Sequence, residues 1–194
     1  MRIGIVSENY KHDSIAIKSL LDKKFVPKVT FIPILKQVTG DDLLTPKTAR
    51  LLNERIIRKQ LQLIILVKDL DALPSDKNQI TAIKNKSKQI IKNKITSDYL
   101  LFLVIFELEA LILADIPSFN KFYGLKYQYK GNPLYQSEPK ELIKQKTAKT
   151  KNQYQESKAP EIFQHLDYET VYSKHSGKNS FQSFVDELAK KIND

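Results

Sequence analysis

Leu61-Gln62-Leu63-Ile64-Ile65-Leu66-Val67-Lys68-Asp69-Leu70-Asp71 is the stretch whose reading decides the fold. Leu61 to Val67 reads as a strand, with Ile64 and Ile65 at its centre. It then stops at the charged Lys68-Asp69-Leu70-Asp71. A strand that is apolar on both faces needs cover on both faces, which is the condition of a parallel sheet in an α/β protein. Leu100 to Phe106 repeats the pattern and ends in Glu107-Leu108-Glu109.

Working outward, Arg2 to Val6 is a short apolar run ending in Ser7-Glu8-Asn9. Residues 28–36 read as a further strand, and Pro33 within it places that strand at an edge or a bend. Helical segments fall between the strands. Asp13 is a candidate cap for a helix carrying Ile15, Ile17, Leu20 and Leu21. Thr45-Pro46 is a helix start with Thr as cap and Pro in the first turn. Residues 76–94 alternate Lys with Ile80, Ile83, Ile90 and Ile91, the pattern of a basic amphipathic helix. The order β-α-β-α-β-α-β, with right-handed crossovers, puts all the strand C-termini along one edge. Beyond strand four the chain reads as helices at 108–114, 117–123, 138–149, 160–166 and from Phe181 onward. The expected organisation is an α/β unit at 1–124, a four-stranded parallel sheet flanked by helices, with a helical C-terminal extension at 125–194 packed on it.

The carboxylates cluster at the ends of these runs. Glu8 follows strand one, Asp69 and Asp71 follow strand three, and Glu107 and Glu109 follow strand four. Open α/β sheets place ligands at that crevice. Asp69 and Asp71 are two apart, so an extended backbone projects both to one side, and the same applies to Glu107 and Glu109. Crowded carboxylates repel, and a divalent cation removes the conflict. Oxygen donors without His or Cys select Mg²⁺ or Mn²⁺. Each piece has a plainer reading: Asp-x-Asp is a common loop turn, and Glu8, Glu107 and Glu109 all suit helix starts. Acids at three strand ends of one sheet are harder to assign to capping alone.

Composition bounds the rest. The chain has 194 residues, 41% apolar and 28% charged, enough for an ordinary core. It has no Cys, which excludes disulfides, thiolate metal sites and cysteine catalysis. The three His (His12, His165, His175) are scattered, which argues against zinc. No apolar run spans a membrane, and Met1 to Val6 lacks the apolar stretch of a secretory leader, so a cytoplasmic protein is expected. The net charge of +10 points to a polyanion, although only four of the 32 basic residues are Arg, and such Lys bias also follows from an AT-rich genome. The excess concentrates in residues 76–94 and 121–158.

Three matching stretches carry a resemblance. Ile3-Gly4-Ile5-Val6-Ser7-Glu8-Asn9 together with Ile64-Ile65-Leu66-Val67-Lys68-Asp69-Leu70-Asp71 resembles the TOPRIM domain of topoisomerases, bacterial primases, recombination-repair proteins and OLD-family nucleases. Phe106-Glu107-Leu108-Glu109-Ala110, running into an apolar helix that ends Ala114-Asp115, resembles a small stand-alone TOPRIM-like family tied to phage defence. Lys158-Ala159-Pro160-Glu161 and Ser180 to Phe184 extend that likeness over most of the chain. The loop Asn9-Tyr10-Lys11-His12 departs from the family's glycine-rich turn. There is no topoisomerase tyrosine domain, and a primase zinc ribbon cannot be built without Cys.

The resemblance implies a Mg²⁺- or Mn²⁺-dependent nuclease or related phosphoryl-transfer enzyme acting on DNA or RNA, in phage defence or DNA repair. Glu8, Asp69, Asp71, Glu107 and Glu109 would be catalytic, with Glu8, Asp69, Asp71 and Glu109 on the metal. Lys68, Lys84, Lys88, Lys174 and Lys178 are the candidate nucleic-acid contacts. His12 could move a proton, contact phosphate or cap a helix, and Tyr127, Tyr129 and Tyr135 could stack on bases or simply pack. A separate ATPase or defence-system subunit is the expected protein partner. The competing expectation is a TOPRIM-like subunit that binds nucleic acid or a partner and cuts nothing. A small-molecule phosphatase is a weaker third, since it has no use for a wide basic surface.

Overall fold

The computed structural model describes residues 1–40, 42–70, 73, 75–92 and 94–193. Four parallel strands form one sheet: β1 (Arg2–Ser7), β2 (Thr30–Pro33), β3 (Leu63–Leu70) and β4 (Asp98–Ile105), in the order β2-β1-β3-β4. Ile5 pairs with Ile65 and with Pro33, and Ile65 with Leu100. β2 is an edge strand, where the missing N–H of Pro33 does no harm. β3 runs three residues further than the apolar pattern, so Lys68 and Asp69 lie within the strand, paired with Leu103 and Val104. Asp71 lies outside the described residues.

The pleat sorts the two faces. Ile3, Ile5, Leu63, Ile65, Val67, Leu100, Phe102 and Val104 share one core cluster. Val6, Ile64 and Leu66 belong to the other. The first face is covered by α1 (Ile15–Phe25) and by the helices after β4: α4 (Ala110–Ala114), α5 (Ile116–Tyr123), α6 (Pro139–Thr147), α7 (Ala159–His165), α8 (Tyr168–Lys174) and α9 (Phe181–Asn193). The second face is covered by α2 (Pro46–Lys59) and the turn at Lys88–Lys92. α3 (Lys77–Ser87) sends Ile80 and Ile83 toward β4. Every buried aliphatic or aromatic side chain of this kind contributes about 1.5–3 kcal/mol.

Local signals explain the boundaries. Thr45 Oγ1 accepts from Thr48 N at 3.3 Å, with Pro46 in the first turn of α2. Asp76 accepts from Asn78 N and Gln79 N and starts α3. α9 buries Phe181, Phe184, Val185 and Leu188, and Phe184 stacks on Phe102 of β4 with ring centres 4.4 Å apart. Asp115, the end of the Ala-Asp motif, is buried in a structural role: it caps α5 through Ser118 N and accepts from Asp167 N at 2.7 Å. Two expectations are corrected. Asp13 does not cap α1: it sits in a π-helical turn at Tyr10–Ser14, and its carboxylate accepts from Asn9 N at 3.2 Å. Residues 168–174, with no helix expected, form α8, and His175 at its end is buried, 1% exposed.

Candidate functional site

The C-terminal ends of β1 and β3 open into a cavity of about 280 Å³. Glu8, Asp13, Asp69, Glu109 and Glu156 line it, against a single lysine among the described residues, Lys140. Pleat parity accounts for Asp69. It continues the Leu63, Ile65, Val67 series and therefore faces the side covered by α1 and the C-terminal helices. Glu8 arrives two residues... beyond β1's last apolar residue, Val6, and Asp13 arrives on the following turn. Phe106 takes a left-handed conformation (φ 58°) directly after β4 and turns the chain there. Beyond it residues 108–109 form a turn, with Glu109 already in helical conformation (φ −59°, ψ −20°), so Glu107 and Glu109 do not share one side as they would in a strand. Glu109 enters the cavity at 6% exposure, whereas Glu107 pairs with Lys140.

The electrostatics follow from crowding out of water. Burial, then Asp13, Glu8, Glu109 and Glu107, push the Asp69 carboxyl up to about 8. Burial and then Glu109 push Asp13 up to about 7, against the pull of the Asn9 N–H. Burial also raises Glu109, while the Tyr154 hydroxyl and Lys140 draw it back. Tyr154 Oη donates to Glu109 Oε1 at 2.6 Å, and burial together with Glu109 holds the phenol far above its usual range. Burial works against the Lys140 ammonium, but Glu107, Glu109 and Glu156 outweigh it and raise its pKa. Lys140 Nζ lies 2.9 Å from Glu107 and 3.2 Å from Glu156, and its backbone N–H also bonds Glu107. Lys68 Nζ holds Glu8 Oε1 at 2.5 Å. His12 Nδ1 accepts from the Asn9 side-chain amide at 2.9 Å, which leaves the proton on Nε2.

Of the residues expected from sequence, Glu8, Asp69 and Glu109 come together around this cavity. Glu107 stands behind Lys140. Lys68 is engaged by Glu8. Lys84, Lys88 and Lys178 line a different groove, about 600 Å³, along the outer side of β4. Lys174 is an exposed residue at the end of α8. Tyr127 and Tyr129 pack against the core, and Tyr135 is exposed. Sequence reasoning missed Asp13 as a cavity acid, and it missed Lys140, Tyr154 and Glu156 altogether. Only the spacing of Asp13 five residues beyond Glu8 could have flagged one of them.

All the carboxylate donors are hard oxygens, and burial followed by the neighbouring carboxylates raises the pKa of Asp13 and of Asp69. Among the described residues, no three His, Cys, Asp or Glu side chains stand close enough together to hold a metal ion as they lie. The oxygen donors suit a hard cation by type, but ligation would require the side chains to draw closer.

Fold and cavity together define an α/β protein with a buried carboxylate cluster at the C-terminal edge of a parallel sheet. The chain belongs to the family described as Domain of unknown function (DUF4276), which matches residues 12–189. That span includes Asp13, Asp69, Glu109 and Tyr154 and begins four residues after Glu8. No curated protein and no solved structure matches the chain. No helix among the described residues is long and apolar enough to cross a membrane.

Proposed function

We propose that this protein is a TOPRIM-like, divalent-metal-dependent nuclease or closely related phosphoryl-transfer enzyme acting on nucleic acid. The observation that carries the reading is the convergence of Glu8, Asp13, Asp69 and Glu109, from separate segments, on one cavity at the sheet's C-terminal edge. Glu8, Asp69 and Glu109 would hold Mg²⁺ or Mn²⁺. The bound ion would polarise a phosphate and lower the pKa of a water molecule. The chain's own groups do the rest. Lys140, held charged by three glutamates, offsets negative charge at the cavity wall. The Nε2–H of His12 is a donor at the cavity lining. Tyr154 fixes the Glu109 carboxylate and excludes water behind it. A cytoplasmic site of action and a separate ATPase or defence-system subunit complete the proposal on the strength of the sequence resemblance.

The test is cleavage of plasmid and of labelled DNA and RNA oligonucleotides with Mg²⁺ or Mn²⁺, comparing wild type with Asp69→Asn. Metal-dependent cleavage lost in the variant is the expected result. A second reading has its own support: Lys68 and Lys140 already neutralise Glu8 and Glu107, as in a subunit that binds and does not cut. Binding without cleavage, indifferent to Asp69→Asn, would select it.

A further inference from the structure

A second cleft, of about 420 Å³, lies on the opposite side of the sheet, beside the edge strand β2. One wall is a single face of α2. Lys47, Leu51, Arg55 and Lys59 recur at intervals of four and all line the cleft. The helical rise puts Lys47 and Lys59 about 18 Å apart along the axis. The other wall is the segment that follows β2, where Lys36 projects and Leu35 takes a left-handed turn (φ 59°). Tyr10 closes one end, with Lys36 Nζ 5.6 Å above its ring.

Among the described residues, the lining holds four cations and no carboxylate. Among the described residues, Lys36, Lys47, Arg55 and Lys59 make no ion pair, in contrast to Lys68 and Lys140. The floor is apolar, formed by Ile34, Leu35, Val38 and Leu51. Spaced cations over an apolar floor, with the Tyr10 ring at one end, match a strand whose phosphates sit outside and whose bases are unpaired. A duplex keeps its base faces stacked inside and has no use for that floor.

The cleft and the carboxylate cavity draw on the same two chain segments. Tyr10 is two residues past Glu8, and Gly40 is two residues past Val38. Both Glu8 and Gly40 line the cavity. We propose that this cleft binds single-stranded nucleic acid and leads it along Tyr10 to the carboxylates. The delivery step rests on the nuclease reading, and the binding step does not.

The experiment measures binding of a fluorescein-labelled 20-nucleotide single strand by anisotropy, in EDTA, across a salt series. The variants are Lys47→Gln/Arg55→Gln/Lys59→Gln and, for comparison, Lys84→Gln/Lys88→Gln/Lys178→Gln in the β4 groove. The first is expected to weaken binding at least tenfold and to lower the salt slope by about two, since each single-strand phosphate contact contributes about 0.7. The second is expected to stay within threefold of wild type. Should the triple variant not fold, Lys47→Glu at its exposed position is expected to weaken binding at least threefold. Unchanged affinity in the α2 variants, or a duplex competing as well as the single strand, overturns the proposal. Binding through this cleft with no cleavage under Mg²⁺ or Mn²⁺ upholds the cleft and refutes the nuclease reading alone.

Discussion

Tyr154 donates its phenolic hydrogen to Glu109 at 2.6 Å, with 2% and 6% of the two residues exposed. The pair joins the loop before α7 to the turn before α4. Tyr154 is itself held by its backbone N–H, which donates to Thr147 Oγ1 at 2.9 Å. The C-terminal helical region thus supplies part of the wall and a proton donor to a site whose other acids come from the sheet.

Tyr154→Phe keeps the ring and removes the donor. A buried carboxylate that loses such a bond costs about 1.5–3 kcal/mol. At roughly 2–4 °C per kcal/mol for a chain of this size, the melting temperature is expected to fall by about 3–12 °C. The hydroxyl is also what draws the Glu109 pKa back down, so the variant's carboxyl titrates higher. Mn²⁺ affinity measured by calorimetry is expected to weaken at pH 7 and to recover toward pH 9. An unchanged melt would show that the hydrogen bond contributes nothing.

Asp69→Asn is expected to stabilise the protein and to abolish cleavage. The folded-state pKa of Asp69, about 8, lies above its ordinary 3.8. A raised carboxyl favours the fold below the unfolded pKa, and that advantage is lost as pH rises through the folded one. At pH 7.5 the folded protein therefore carries a penalty of about 5 kcal/mol for Asp69 that the neutral amide lacks. Urea unfolding should show the variant ahead at pH 7.5 and the difference vanishing toward pH 4. A variant less stable than wild type at pH 7.5 would mean that Asp69 is already compensated.

Much of the fold was legible because strands that are apolar on both faces admit few arrangements. The runs Leu61 to Val67 and Leu100 to Phe106 read as parallel, doubly covered strands, and of the edge or bend that Pro33 allowed, the sheet order gives the edge. The site was legible only where an acid directly follows such a strand. Asp69 and Glu8 met that condition. Glu107 and Glu109 met it too, but the chain turns at 108–109 into α4, and strand alternation does not carry past the end of β4. Lys140 and Tyr154 come from the helical extension, whose docking depends on long-range packing that no local period encodes. Of the five candidate lysines, Lys84, Lys88 and Lys178 fell on the β4 groove. The α2 stripe escaped because Glu54 and the apolar Ile56 and Ile57 dilute its local composition, while its four-residue spacing was present in the chain.

Gly40→Ala is expected to lower activity with little effect on folding. A Cβ at this position would lie 2.5 Å from Glu8 Oε2, so the carboxylate must move. Glu8 is the free end of a half-buried side chain, which can yield without unfolding anything. Its displacement breaks the 2.5 Å contact with Lys68 and shifts a proposed metal ligand. Cleavage is expected to fall at least tenfold, with the melting temperature within about 3 °C of wild type, a change on the scale of 1 kcal/mol. Full activity would show that Glu8 has no fixed position to lose.

His175 gives the protein an acid limit that can be isolated from the carboxylates. Its Nδ1 accepts from Phe181 N at 2.9 Å, so the proton sits on Nε2, which is buried without a partner among the described residues. Burial lowers the imidazole pKa from 6.5 to about 4. A depressed pKa contributes stability above the unfolded value, and this is lost as pH falls from 6.5 through 4, by about 3 kcal/mol. Asp13 and Asp69 take up protons over part of the same range with the opposite sign, so the wild-type profile alone understates the effect. The difference between wild type and His175→Asn cancels those carboxylates, because both proteins carry them. His175→Asn is expected to be less stable at pH 7, from lost packing, with that deficit shrinking by about 3 kcal/mol at pH 4. Urea midpoints at unit pH steps measure it. A deficit constant from pH 7 to pH 4 would mean that the imidazole is not held neutral by the fold.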